Sequence, residues 1–254
     1  MKAIILAAGR GSRLARHTDQ RPKALVELAG KPLLYWQLEA LAAAGADDIA
    51  VVCGYQADSI KRLEKTGPIP FTALENVRWA ETNMLSSLLC AAGWAWGREC
   101  LISYSDIVYP ARHVQALLGC QAPIALTYDT DWERLWSLRN HGQPLNDAET
   151  FRQENGRLLE IGAKPERLDQ VQGQYMGLLK LTTSGWQIWL SECAALGPAV
   201  DRQDMTGFLA RLLKSGHHIG AAAVSGAWCE VDSDEDLELY EQALTQKSFT
   251  HDWR

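Results

Sequence analysis

One short stretch combines two glycines, two arginines and a serine behind an apolar run: KAIILAAGRGSRL, residues 2–14, with Pro22-Lys23 soon after. These residue types suit the gripping of phosphate. Gly9 and Gly11 allow the backbone to turn sharply and to approach a ligand closely. Successive backbone N–H groups in such a turn form an anion-binding concavity. Leu6, Ala7 and Ala8 end the apolar run and leave little bulk beside that turn, and Ser12 adds a hydroxyl. Arg13 brings a planar, permanently charged fork, and Lys23, held by Pro22, supplies a second positive charge from the far side. A dinucleotide-binding loop would need a third glycine where Leu14 stands, and an acidic residue ending the second strand, where Cys53-Gly54-Tyr55 stand. A P-loop would need Gly-Lys-Ser/Thr, which Gly11-Ser12-Arg13 does not supply. An ordinary tight turn needs neither the arginines nor the Pro-Lys pair. The loop therefore reads as a site for a nucleoside triphosphate.

Two carboxylates are candidates for a metal. Asp106 follows the apolar run LISYS, at the end of a central strand, where ligands of α/β sheets bind. There it can meet Mg²⁺, which takes one or two protein carboxylates plus phosphate oxygens. Asp232 ends the run CEV and is the natural second ligand. Each has a simpler reading as a helix cap: Asp106 before the next helix, Asp232 beside Ser233, Asp234 and Glu235.

The elements that must position these groups alternate. Strands are expected at 2–8, 48–54, 70–76, 99–105 and 123–129, with helices at 31–45, 59–65, 83–96 and 110–119 between them. This order argues for a mostly parallel sheet with helices on both faces. After residue 129 the rhythm changes. Glu154-Asn155-Gly156 signals a hairpin within 148–162. Strands follow at 174–181, 219–224 and 227–232, with helices at 184–195, 206–215 and 234–246. No linker divides the chain, so 1–254 reads as one domain, with a nucleotide-binding half to about 129 and an acceptor-binding half beyond. The last eight residues, KSFTHDWR, carry no pattern and are expected to fray.

With 254 residues, 47% of them apolar, the chain can bury a large core. Its net charge of −6 argues against a nucleic-acid or anionic membrane partner. No apolar run approaches a membrane span, and the first is too short for a secretory signal. The six scattered cysteines show no metal spacing and read as reduced, buried thiols, so a cytoplasmic protein is expected. Among the ten tryptophans, Trp79, Trp132, Trp136 and Trp228 lie near polar motifs and are candidates to line a pocket.

The pattern L-A-A-G-x-G-x-R-L followed by P-K resembles the signature of the sugar-nucleotide-type nucleotidyltransferases, the GT-A-like pyrophosphorylases. The resemblance implies a Rossmann-like three-layer α/β/α fold with a mostly parallel mixed sheet. It implies catalytic roles for Arg13, Lys23, Asp106 and Asp232, with YSDIVY and WCEVDS matching the two metal-binding aspartates of the family. It also implies that Lys164, in EIGAKPE, grips the phosphate of the acceptor; as a residue, Lys164 also reads as a solvent lysine in a turn. Thr82-Asn83 opens a helix, and Asn83 and Ser86 could read a base edge or ribose, or merely cap and pack that helix. WAETNMLSSLLCA is similar to the phosphocholine cytidylyltransferase-like branch, which makes CTP the expected nucleotide. Within that branch, ETNMLSSL, ISYSDIVY, DAETF and GQYMGLL resemble capsule-biosynthesis CTP:phosphoglutamine cytidylyltransferases. Neighbouring groups act on phosphocholine or 2-aminoethylphosphonate. An aromatic wall with carboxylates, drawn from Tyr128, Asp129, Trp132, Trp136, Glu149, Gln174 and Tyr175, would suit a cationic amine, although Trp132 and Trp136 also read as one apolar helix face. Rival readings are a sugar-1-phosphate nucleotidyltransferase, a nucleotide sensor on the same fold and a glycosyltransferase using Asp129-Thr130-Asp131, which follows the wrong strand for that role.

Overall fold

The computed structural model describes residues 1–254, except for the side chain of Ala15. A nine-stranded sheet forms the centre. Its strands are β1 (Lys2–Ala7), β2 (Asp48–Cys53), β3 (Thr72–Glu75), β4 (Cys100–Tyr104), β5 (Ile124–Asp129), β6 (Phe151–Glu154), β7 (Arg157–Ile161), β8 (Gln174–Leu181) and β9 (Ile219–Val224). Their spatial order is β3-β2-β1-β4-β8-β5-β9-β7-β6. The pairs β3-β2, β2-β1, β1-β4 and β5-β9 are parallel. Strand β8 runs antiparallel between β4 and β5, and the β6-β7 hairpin closes the far edge. The helices are α1 (Leu33–Ala43), α2 (Met84–Cys90), α3 (Ala111–Gly119), α4 (Trp132–Arg139), α5 (Thr183–Leu196), α6 (Met205–Lys214) and α7 (Asp234–Ala243), besides shorter turns.

Side chains alternate across each strand, and the apolar runs of the parallel strands fill a core on each face. On one face Ile5, Val51, Leu101 and Leu178 pack with Leu38 of α1, Val114 of α3, Leu135 of α4 and Tyr240 of α7. On the other, Ile4, Val52, Ile102 and Leu179 pack with Leu88 of α2, Trp189 of α5 and Phe208 of α6. The expected three-layer arrangement follows.

Several boundaries differ from expectation. The helix expected over 83–96 is broken: α2 stops at Cys90, and a separate turn covers Ala92–Ala95. The strand expected over 227–232 shrinks to Cys229–Glu230, which leaves the main sheet and pairs antiparallel with Ile107–Val108. The last eight residues do not fray. His251 and Trp253 are buried, Trp253 packs edge-on to Trp36 at 5.8 Å between centroids, and His251 Nε2 lies 2.9 Å from an Asp129 oxygen. The six cysteines are free. Among the described residues, no helix is long and apolar enough to cross a membrane.

Candidate active site

The C-terminal ends of β1, β4 and β5 open onto one edge of the sheet, and the glycine-arginine loop leaves β1 there. Its two glycines act differently. Gly11 has φ +72°, and a Cβ on it would lie 2.8 Å from Lys23 Cβ. Only glycine gives that conformation cheaply and lets the Lys23 side chain pass. Gly9 needs no special backbone angle, and a Cβ there would meet nothing within 4 Å. Its bareness keeps open a groove of about 130 Å³ lined by Leu6, Ala8, Gly9, Trp79, Thr82, Asn83, Met84 and Ser87.

The short ribbon of 107–108 with 229–230 aligns the acidic groups. It pairs Ile107 with Glu230, and Val231 N–H donates to Asp106 O at 2.8 Å. Oxygens of Asp106, Glu230 and Asp232 consequently lie within 4.8 Å of one another, close enough to share a metal ion. Lys23 Nζ sits against this cluster, 2.9 Å from Asp106 Oδ2 and 2.6 Å from Asp232 Oδ1. Arg13 Nη2 is 3.2 Å from the same Asp232 oxygen, its side chain otherwise exposed. Burial would lower the Lys23 pKa, but the two carboxylates outweigh it and hold the ammonium above its ordinary value. Burial likewise opposes ionisation of Asp232, and Lys23, Arg13 and Arg139 reverse that, leaving its carboxyl below the usual range. Glu230 goes the other way: burial, then the neighbouring Asp232 charge, push it up. Asp106 Oδ1 is buried without a hydrogen-bond partner among the described residues.

A second hollow, of about 170 Å³, borders this cluster. Arg13, Glu230 and Asp232 line it together with Tyr104, Trp136, Asp147, Glu149, Gln174, Tyr175 and Thr206. Tyr104 and Tyr175 meet edge to face at 5.7 Å. Trp136 Nε1 is buried with no partner among the described residues. Gln174 clamps the Glu149 backbone, accepting from its N–H at 3.2 Å and donating to its carbonyl at 2.7 Å. Burial, then Asp204 and Asp147, raise the Glu149 carboxyl above the usual range.

Of the residues expected in the site, Arg13, Lys23, Asp106 and Asp232 converge on the acidic cluster. Leu6, Ala8, Gly9 and Asn83 line the groove, and Trp136, Glu149, Gln174 and Tyr175 the second hollow. Ala7 is buried under the loop, and Ser12 is exposed on it. Asn83 also caps α2, its Oδ1 accepting from Met84 N–H at 2.8 Å.

Three expected site residues, Ser86, Tyr128 and Asp129, are corrected. Ser86 turns away from the groove and donates to Asp201 Oδ1 at 2.9 Å, because the next residue on the helix, Ser87, faces inward. Tyr128 stacks on Phe151 at 4.7 Å in the core. Asp129 is fully buried and accepts from Gly226 N–H, Asp131 N–H and Trp228 Nε1, besides facing His251. It ties the C-terminal tail to β5, and its carboxylate has no capacity left for an acceptor or for the metal of a glycosyltransferase motif. Lys164 is exposed and lines neither hollow; its Nζ donates to the carbonyls of Leu145 and Asn146, each at 2.6 Å. Trp132 lines a separate shallow surface hollow, and Trp228 is a core residue.

Sequence reasoning missed Asn76, Ser87, Tyr104, Glu230 and Arg139. Asn76 is buried and donates to Thr82 Oγ1 and Ser87 Oγ, each at 3.0 Å, building the floor of the groove. Its place just after a strand, like that of Asp106, was the available signal. Glu230 stood two residues from Asp232 in a run read as a strand, where alternation puts both on one face.

The fold and this phosphate-suited, acidic site together define a nucleotidyltransferase. Residues 3–168 match the family model described as the MobA-like NTP transferase domain, and the chain belongs to that family. It is 36% identical over 255 residues to a CTP:phosphoglutamine cytidylyltransferase of Campylobacter jejuni, covering 94% of this chain and 98% of the relative. A 2-aminoethylphosphonate cytidylyltransferase of Lancefieldella rimae is 34% identical over 112 residues, covering 44% of this chain and 45% of the relative. The fold is also that of the inositol-1-phosphate CTP transferase from T. maritima, with a TM-score of 0.75 at 20% identity over 94% of this chain and 93% of the other.

Proposed function

We propose that residues 1–254 form a single Mg²⁺-dependent cytidylyltransferase domain that transfers CMP from CTP to a small phosphorylated amine or amino acid, with phosphoglutamine the first candidate. The observation that carries this reading is the cluster of Asp106, Glu230 and Asp232, faced by Lys23 and Arg13 and bordered by the second hollow. The near full-length similarity to a phosphoglutamine enzyme supports CTP as the nucleotide and places phosphoglutamine first among the acceptors to test. It also suggests that the product serves capsule or surface-polysaccharide decoration.

The acidic cluster fits Mg²⁺: its donors are hard carboxylate oxygens, and Asp106 Oδ1 has no partner to satisfy it. Asp106 and Asp232 would hold the ion, with Glu230 beside them. When bound, Mg²⁺ supplies charge neutralisation between two phosphates that otherwise repel.

The chain's own groups do the rest. The groove beside Gly9 receives the cytidine, with Asn83 and Ser87 facing the nucleoside and Trp79 forming a wall. The loop amides and Arg13 hold the β- and γ-phosphates. The acceptor lies in the second hollow, its amine toward Glu149 and Asp147, its body against Trp136, Tyr104 and Tyr175. Its phosphate oxygen is already anionic, so no general base is needed. That oxygen bonds to the α-phosphorus while the bond to the bridging α–β oxygen breaks, and pyrophosphate leaves with its electron pair. Lys23 offsets the charge gathering around the α-phosphate. Alignment and charge compensation are the catalytic contributions.

The test is pyrophosphate release with Mg²⁺, using CTP, UTP, dTTP, ATP and GTP against phosphoglutamine, 2-aminoethylphosphonate, phosphocholine and glucose-1-phosphate. Release with CTP and an amine-bearing acceptor is expected. Release with the sugar phosphate alone would move the protein to the sugar-nucleotide enzymes. Silence with intact CTP binding would favour a nucleotide sensor.

A further inference from the structure

Arg139 ends α4, one helical turn after Trp136, and its side chain is only 5% exposed. No phosphate can reach a guanidinium so enclosed, yet it faces four carboxylates, the most distant being Asp147 at 4.0 Å from Nη1. Its Nε lies 3.0 Å from Asp236 Oδ1 and its Nη1 2.9 Å from Glu230 Oε2. Its Nη2 lies 3.3 Å from Asp236 Oδ2 and 3.5 Å from Asp232 Oδ2. The guanidinium therefore approaches Asp232 by one oxygen, while the other, Oδ1, faces Lys23 and Arg13. Asp236 in turn accepts from the backbone N–H groups of Asp232 and Ser233, at 2.9 and 3.0 Å. Arg139 and Asp236 thus grip both the side chain and the backbone of Asp232.

We infer that Arg139 is a positioning residue: it fixes Glu230 and Asp232 so that their remaining oxygens converge with Asp106 on a divalent cation. The inference rests on the metal site proposed above. Three carboxylates in one buried corner would otherwise repel one another and splay. The planar fork is what spans them, since Glu230 and Asp236 lie on different elements and are met by different nitrogens. A lysine offers one compact charge and cannot hold both in fixed orientation. The same side chain packs its guanidinium 5.2 Å from the Trp136 ring centroid, so the wall of the acceptor hollow and the carboxylates share one anchor.

The experiment is a titration of the protein with Mn²⁺ alone, followed by electron paramagnetic resonance, without nucleotide or acceptor. Wild type, Arg139→Lys and Asp236→Asn are compared, with circular dichroism and melting to establish folding. Outer-shell partners of metal ligands typically contribute 10–100-fold in affinity. Folded Arg139→Lys should bind Mn²⁺ about 10–100-fold more weakly. In turnover its Mg²⁺ activation constant should rise in parallel, with most of kcat recovered at saturating Mg²⁺. An affinity within twofold of wild type, or a kcat loss equal at all Mg²⁺ concentrations, would overturn the inference. Should Arg139→Lys not fold, Asp236→Asn decides: it leaves Asp106, Glu230 and Asp232 intact but loosens the guanidinium. Severalfold weaker Mn²⁺ binding is expected, and unchanged binding refutes the role. Absence of saturable Mn²⁺ binding by the wild type would instead overturn the metal site itself, and Arg139's role with it.

Discussion

Replacing Lys23 with methionine is the most informative single perturbation, because it removes a charge and keeps the volume. The ammonium lies 2.9 and 2.6 Å from the Asp106 and Asp232 carboxylates, and Glu230 stands beside them. Breaking a buried ion pair by deleting one partner typically costs 3–5 kcal/mol, since it strands the other charge. These side chains retain 10–18% exposure, so the lower figure of about 3 kcal/mol applies here. For a chain of this length that corresponds to a melting temperature lower by on the order of 10 °C. The deficit should shrink on acidification, as protonated carboxylates cease to repel. It should also shrink on adding Mg²⁺, and the melting temperature of Lys23→Met should rise more with Mg²⁺ than that of wild type, because the ion no longer competes with an ammonium. Turnover should fall by about 10²–10³ even in the refolded, Mg²⁺-saturated variant, through loss of an electrostatic donor. The assays are calorimetry with and without MgCl₂ at two pH values, and pyrophosphate release. A variant melting within 2 °C of wild type without divalent ion, or one equally active, would refute the reasoning.

Burial, then the Arg112 charge, push buried His113 down to about 4, from an ordinary value near 6.5. Its stability contribution is therefore complete above pH 6.5 and is lost as pH falls toward 4. By linkage, about 2 kcal/mol should disappear between pH 6.5 and 5, and urea midpoints of His113→Leu should be flatter over that range. Asp129→Ala strands the buried donors of Trp228 and Gly226 and frees His251, so it should cost about 3 kcal/mol or more. Its melting temperature should fall while its KM for the acceptor stays unchanged. Glu149→Gln keeps its backbone clamp through Gln174 but loses the charge facing the amine. It should raise the KM for an amine-bearing acceptor about tenfold with the KM for CTP unchanged, as initial-rate kinetics would reveal.

The sheet and the phosphate loop were legible because their signals are local. Apolar runs ending in Gly or Asp mark the strands, and LAAGRGSRL followed by Pro22-Lys23 is dense in phosphate chemistry. The partners of the loop were less legible because they come from far along the chain. Glu230 and Arg139 reach the site only through the 107–108/229–230 ribbon and the packing of α4 against α7. No spacing rule predicts a contact between positions 139 and 236. Asp129 differs from expectation for a related reason: its type and location suit the acceptor, but its carboxylate is engaged by Trp228, Gly226 and His251. Ser86 fell one helical position from the groove, a rotation of roughly 100°. The tail reads as a frayed end because His251 and Trp253 show no periodicity, although two large ring side chains in a short terminus can be held by single contacts such as Trp253 with Trp36.

The most direct test of cytidylyl transfer at this site follows the two ends of the triphosphate. CTP labelled separately at the α- and γ-phosphorus is incubated with Mg²⁺, phosphoglutamine and either wild-type protein or Asp106→Asn. With wild type, the α label should appear in a cytidine-bearing adduct of the acceptor and the γ label in pyrophosphate. Asp106→Asn, folded as judged by melting, should produce neither. Appearance of the γ label in the acceptor or in free phosphate, or an undiminished rate in Asp106→Asn, would contradict the account.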